Sequence, residues 1–151
     1  FLHLENQGWK AEDRKSLLSR PGHAEFFREM SMRFAAAGRA FFTELTLNGQ
    51  VIASTSNYIS GNVGFAFKIG WDGAYSAVSP GLLNEVELMR HAEKCLPNIS
   101  YIDSGAAEGS FIDRFWRESR QLITGIFAGG YAGAAVLPAM SFARRLKREM
   151  A

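Results

Sequence analysis

The sequence predicts an α+β domain in which a helix leads into a three-strand antiparallel meander and then into helix, strand, helix and strand. Three observations carry this expectation. Phe26, Phe27, Met30, Phe34 and Ala37 recur at helical spacing. Two runs rich in β-branched and aromatic residues, 39–47 and 51–59, flank Asn48-Gly49, where both loop positions favour positive φ. From Leu82 the helical period returns. With 151 residues, 47% of them hydrophobic and 21% charged, the chain can bury one core without disulfides or a structural metal, and a disordered tail or fibrous repeat is excluded.

Each element has a local reason. Pro21 suits a first helical turn, where its N–H would be unpaired anyway, and Gly38 offers a left-handed stop. Ser60, Gly61 and Asn62 supply the second turn, and residues 63–70 (VGFAFKIG) continue the meander with Lys68 as their one charge. A polar loop, 71–78, ends it. The next helix is expected to bury Leu82, Leu83, Val86, Met89, Ala92 and Leu96 and to expose Glu85, Glu87, Arg90, Glu93 and Lys94. Ser79 is a good N-cap, Pro80 fits the first helical position, and Gly81 lets the backbone come close to whatever precedes the helix. A strand at 99–103, a loop at 104–109, a helix near 110–118, a last strand at 121–127 and a C-terminal helix from about Ala134 complete the chain.

Charge and special residues narrow the function classes. Lys plus Arg is 17 against 15 for Asp plus Glu, so no nucleic-acid partner is expected. Cys95 stands alone, and His3, His23 and His91 have neither metal-ligand spacing nor a partner at nucleophile spacing. No metal and no thiol nucleophile are expected, and the single cysteine points to a reducing, cytoplasmic compartment. Residues 122–143 carry no charge, precede Arg144, Arg145, Lys147 and Arg148, and have the length of a membrane span. Gly125, Gly129, Gly130, Gly133 and Pro138 dilute that stretch, so a strand, a glycine turn and a helix are expected there and no membrane span. No signal-peptide pattern follows Phe1, and the chain reads as processed or as part of a longer protein.

This order of elements is similar to the core of the GNAT N-acyltransferases, in which a meander runs into a helix whose free N–H groups hold a pyrophosphate. Four blocks sharpen the likeness: FLHLENQGWK (1–10), RPGHAEFFREM (20–30), FAFKIGWDGAYSAVSPGLLNEVEL (65–88) and DSGAAEGSFIDRFWRESR (103–120). On these the chain resembles the cellulose-biosynthesis-associated branch of that superfamily, related also to the transferases that add amino acids to peptidoglycan. The resemblance implies one GNAT-like domain over residues 1–151, the C-terminal part of a longer protein, with further strands and helices before Phe1.

The resemblance also implies acetyl-CoA or another acyl-CoA as cofactor, laid along the third meander strand and over the start of the next helix. Phe67 and Ile69 would offer backbone groups to the pantetheine arm, and Ser79, Gly81, Leu82 and Leu83 would supply N–H groups to the pyrophosphate. An ordinary helix cap is the competing reading of Ser79-Pro80-Gly81.

Acyl transfer from a thioester to an amine needs a base, an oxyanion donor and a proton for the leaving thiolate. A backbone N–H near Phe67 is the candidate oxyanion donor. Asp103, at a strand's C-terminal end, is a candidate base or acceptor-orienting group, or else a loop cap. Lys68 is a candidate for holding an acidic or sugar-phosphate acceptor, or else a snorkelling edge lysine. Glu44 lines an acceptor cleft or faces solvent. Tyr75 and Tyr101 are the available phenols, and neither falls at the helix position where the superfamily often carries one.

Two function classes follow. One is an acyl-CoA-dependent acyltransferase acting on a small-molecule or saccharide acceptor, with a cell-envelope precursor as one such acceptor. The other is a non-catalytic GNAT-like interaction module of a polysaccharide biosynthesis or export system. The meander edge and the C-terminal helix offer surfaces for a homodimer.

Overall fold

The computed structural model describes residues 1–116, 118–122, 128–134, 136–138 and 140. Contacts divide the chain into two compact units, Phe1–Arg117 and Glu118–Ala151. The first contains two short helices, α1 (Leu2–Glu5) and α2 (Trp9–Glu12), then α3 (His23–Ala36). Strands β1 (Ala40–Leu47), β2 (Gln50–Ser60) and β3 (Val63–Trp71) follow, then α4 (Pro80–Cys95) and β4 (Tyr101–Asp103). Short 3-10 turns occupy Leu17–Ser19, Gly73–Val78 and Phe111–Arg114.

The four strands form one sheet in the order β1-β2-β3-β4. The meander is antiparallel, and its first turn has Asn48 at φ 50 and Gly49 at φ 81, the positive-φ pair that matches the twist of a tight hairpin. β4 runs parallel to β3, a pairing that needs a long crossover connection, which α4 supplies. Helices cover both faces, because successive side chains of a strand alternate. Phe42 meets Phe1 and Phe27, and Tyr58 meets Ser31 of α3, whereas Thr43 and Thr55 meet α4.

The apolar core of the N-terminal face joins Leu17, Phe27 and Tyr58 with Phe1, Leu2, Met30, Phe34 and Ala40 around them. The other face is held differently. Ser54, Thr55, Ser56 and Asn57, in the middle of β2, are all buried, and α4 answers Thr55 and its β1 neighbour Thr43 with polar groups. Asn84 Nδ2 donates to Thr43 O, Thr43 Oγ1 and Thr55 Oγ1 at 3.0–3.2 Å, and Thr55 Oγ1 donates to Glu85 Oε1 at 2.7 Å. α4 therefore buries Pro80, Gly81, Asn84, Glu85 and Leu88. The expected stripe is rotated: Glu85 is inside rather than in solvent, and Leu83 and Met89 are exposed.

Other expectations need correction. α3 starts at His23, after Gly22 in the left-handed region, rather than at Pro21. Instead of a helix over 110–118 there is the single turn Phe111–Arg114, closed because the Phe115 and Trp116 amides both donate to the Ile112 carbonyl. The strand expected at 99–103 begins at Tyr101, since the Ser100 amide is bonded to Asn62 across the sheet end. Of the strand expected at 121–127, residues 121 and 122 are not in a strand, and 123–127 lie outside the described residues. In the second unit residues 130–134, 136–138 and 140 are helical, and the rest of the expected C-terminal helix lies outside the described residues. Among the described residues no helix is long and apolar enough to cross a membrane.

Candidate functional site

The site grows from one irregularity in β3. Lys68 pairs with Ser56 and Ala66 with Asn57, so Phe67 is skipped by the β2 register. Such a bulge bends its strand and re-aims backbone groups. On the other side, β4 pairs only with Val63, Gly64 and Phe65. Beyond Phe65 the β3 edge has no strand partner among the described residues, so the bulge stands just past the end of the β3–β4 pairing.

α4 starts beside that edge. A Cβ on Gly81 would stand 3.1 Å from Ile69 Cδ1 and 3.3 Å from Trp71 Cε3, so the absent side chain is what lets the first turn rest on β3. Ser79 occupies the cap position with φ 50, but its hydroxyl makes no cap bond. Its N–H donates to Ser76 O, and the Leu83 N–H donates to Ser79 O, both at 3.1 Å. Pro80 has no N–H, which leaves Gly81 and Leu82 as the amides at the positive end of the helix. The helix is long enough for that end to carry a partial charge, and the Asn84–Thr55–Glu85 network fixes where it points.

Lys68 is not a bare cation. Its Nζ lies 3.3 Å from Glu5 Oε1, with 28% of the lysine side chain exposed and none of the glutamate. Glu5 Oε2 accepts the Leu17 amide at 2.8 Å, so this carboxylate is doubly held. Gly70 makes the approach possible, because a Cβ there would run into the Leu4–Glu5 backbone. Lys10 joins the same group: its ammonium donates to the Ile69 carbonyl and lies 5.5 Å from the Trp71 ring centroid. Burial pushes the Lys10 pKa down from its ordinary value, with Glu5 pulling it partly back and Lys68 pushing further down.

Asp103 ends β4 opposite Phe65, and its Oδ1 accepts the Gly105 amide at 2.8 Å, the geometry of a loop cap. Glu44 is exposed on β1, at the far edge of the sheet. The fold thus gathers Phe67, Lys68, Ile69, Gly81 and Leu82, sets Asp103 at the mouth of the opening, and leaves Glu44 apart. Tyr75 is half-buried and Tyr101 exposed. Among the described residues, no group of three or more His, Cys, Asp or Glu is placed to hold a metal ion.

Sequence reasoning missed Glu5, Lys10 and Glu85. Thr43 and Thr55, polar residues on adjoining strands of the sheet, were the available sign that the facing helix carries polar partners. No comparable sign exists for Glu5 or Lys10, whose partners lie 63 and 59 residues away.

No curated protein matches the chain. Among solved structures it is similar to an acetyltransferase of Trypanosoma brucei, at 13% identity and a TM-score of 0.49, over 72% of this chain and 81% of that one. That likeness is too loose to bear on mechanism. The family described as "Acetyltransferase (GNAT) domain" matches residues 1–127, which takes in every strand among the described residues, the bulge and the start of α4. The chain belongs to the GNAT acetyltransferase family.

Proposed function

We propose that the chain transfers an acyl group from acyl-CoA to an amine or hydroxyl, with a saccharide or cell-envelope precursor as acceptor. The observation that carries the reading is the bulge at Phe67 on an open strand edge that ends at a helix N-terminus. The residues present fit such a ligand: the β3 edge offers backbone groups to an extended amide-bearing arm, and Gly81 and Leu82 offer amides to phosphate oxygens. The bound thioester supplies an activated acyl carbon. In this reading the Phe67 backbone N–H is the donor that stabilises negative charge on the acyl oxygen. Asp103 removes or orients the acceptor's proton, and Lys68, its charge balanced by Glu5, faces an acidic group of the acceptor. The exposed rings of Phe42 and Phe67 support an acceptor with an apolar face, as a pyranose has.

The test is a calorimetric titration with acetyl-CoA and with free CoA, repeated on Gly81→Glu after a thermal melt shows that the variant folds. Micromolar binding to the parent chain, weakened at least about tenfold by the substitution, is the expected result. Absence of heat and of any thermal shift in the parent chain would sink the reading and leave a non-catalytic module.

A further inference from the structure

Resting on the acyl-CoA reading, we infer that Lys10 is a resident stand-in for the ligand on β3: its ammonium holds the Ile69 carbonyl, and an incoming chain with an amide N–H must displace it. Lys10 is thereby a specificity-determining residue of the groove, selecting extended thioester ligands that carry an N–H donor at that point.

Four observations support this. The Ile69 carbonyl lies on the strand edge that β4 leaves unpaired, two positions from the bulged Phe67, and Lys10 donates to it from across 59 residues of sequence. The lysine comes from α2, a four-residue helix attached through Gly8, which has φ 59 and open space where a side chain would be. A small pocket lined by Leu4, Gln7, Gly8, Lys10, Gly70 and Trp71 adjoins the bond, so the side chain has somewhere to turn. The arrangement also holds a charge out of water, and burial disfavours the charged form of Lys10. A neutral amide donor on Ile69 O meets the same acceptor without that desolvation, and the released ammonium regains solvent or moves toward the Glu5 carboxylate, whose field already favours it.

The contact predicts an effect opposite to that of an ordinary ligand-binding lysine. Lys10→Met keeps an unbranched apolar side chain at this position and removes the competing donor. Calorimetry of the intact chain and of this variant with S-acetylpantetheine, which has the amides but no phosphates, is expected to show roughly 3- to 10-fold tighter binding to the variant. A second measurement needs no variant. Reductive methylation of the parent chain, followed by peptide mass spectrometry, is expected to show Lys10 reacting more slowly than the exposed Lys94, and faster once S-acetylpantetheine is added.

Unchanged or weaker binding by a folded Lys10→Met variant overturns the inference, as does a Lys10 methylation rate that saturating ligand does not move. If Lys10→Met does not fold, the methylation result decides alone. If the parent chain binds neither acetyl-CoA nor S-acetylpantetheine, the acyl-CoA reading has failed and the inference fails with it. In the other negative outcomes the parent chain binds ligand, which separates the two failures.

Discussion

Gly70 faces the backbone of α1, and the contact leaves no room for a side chain. A Cβ there would stand 2.4 Å from Glu5 N, 2.7 Å from Leu4 C and 2.8 Å from Glu5 Cα, all main-chain atoms that cannot turn aside. Gly70→Ala is expected to lift α1 from β3 and cost about 3 kcal/mol, seen as a lower urea midpoint with an unchanged slope. Lys68→Ala acts on the same joint through charge. It leaves the fully buried Glu5 with the Leu17 amide and the nearby Lys10, and a loss of about 1–3 kcal/mol in urea titration is expected. What was legible at this scale was local: Asn48-Gly49 fixes its turn by its own φ requirements, and Gly81 permits a close approach. Glu5 and Lys10 were illegible because a partner some 60 residues away leaves no trace in spacing.

At the scale of an element, α4 shows why a hydrophobic period gives a helix but not its phase. The period in 82–96 is real, yet Asn84 and Glu85 turn inward because the sheet offers buried hydroxyls to bond, and Leu83 and Met89 are left outward. A carboxyl that is 2% exposed carries a pH signature. Burial pushes the Glu85 pKa up from its ordinary value, with the Thr55 hydroxyl pulling it partly back, and Oε2 has no hydrogen-bond partner among the described residues. A carboxyl with a raised folded pKa contributes stability that is full below its unfolded pKa and is lost as pH rises through the folded value. Glu85→Gln cannot ionise and keeps an acceptor for Thr55. Between about pH 4 and pH 8 its melting temperature is therefore expected to gain roughly 2–4 °C on that of the parent chain, by calorimetric scans at both values. A gap that does not change with pH would mean that Glu85 titrates as it does unfolded.

For the whole molecule, the central design is a β3 strand paired along its length with β2 and, among the described residues, paired on its other side only from Val63 to Phe65. Hydrogen exchange read by NMR tests this directly. The amides of Phe67, Ile69, Gly81 and Leu82 are expected to slow about tenfold or more on saturation with acetyl-CoA, while those of Thr46 and Leu47 on the far edge stay unchanged. A uniform slowing across the sheet would indicate global stabilisation rather than a ligand in the opening. The order of elements was readable because meander, turn and helix each follow from neighbours in sequence. The late start of β4 was not, since it depends on where a three-residue strand begins pairing, and that is set across the sheet rather than along the chain.

The joint between the N-terminal helices and β3 has a kinetic consequence. Its bonds close loops of 63 and 59 residues, whereas the meander turns close within a few residues. Longer loops take more chain entropy to close, so the meander is expected to form first and the first ten residues to dock last. Interactions absent from the transition state act on the rate of unfolding and hardly on the rate of folding. Lys68→Ala is accordingly expected to raise the unfolding arm of a chevron plot roughly tenfold while the folding arm stays in place. The opening helices then serve as the clasp of the native state rather than its seed, and the lifetime of the fold is set at its N-terminal end.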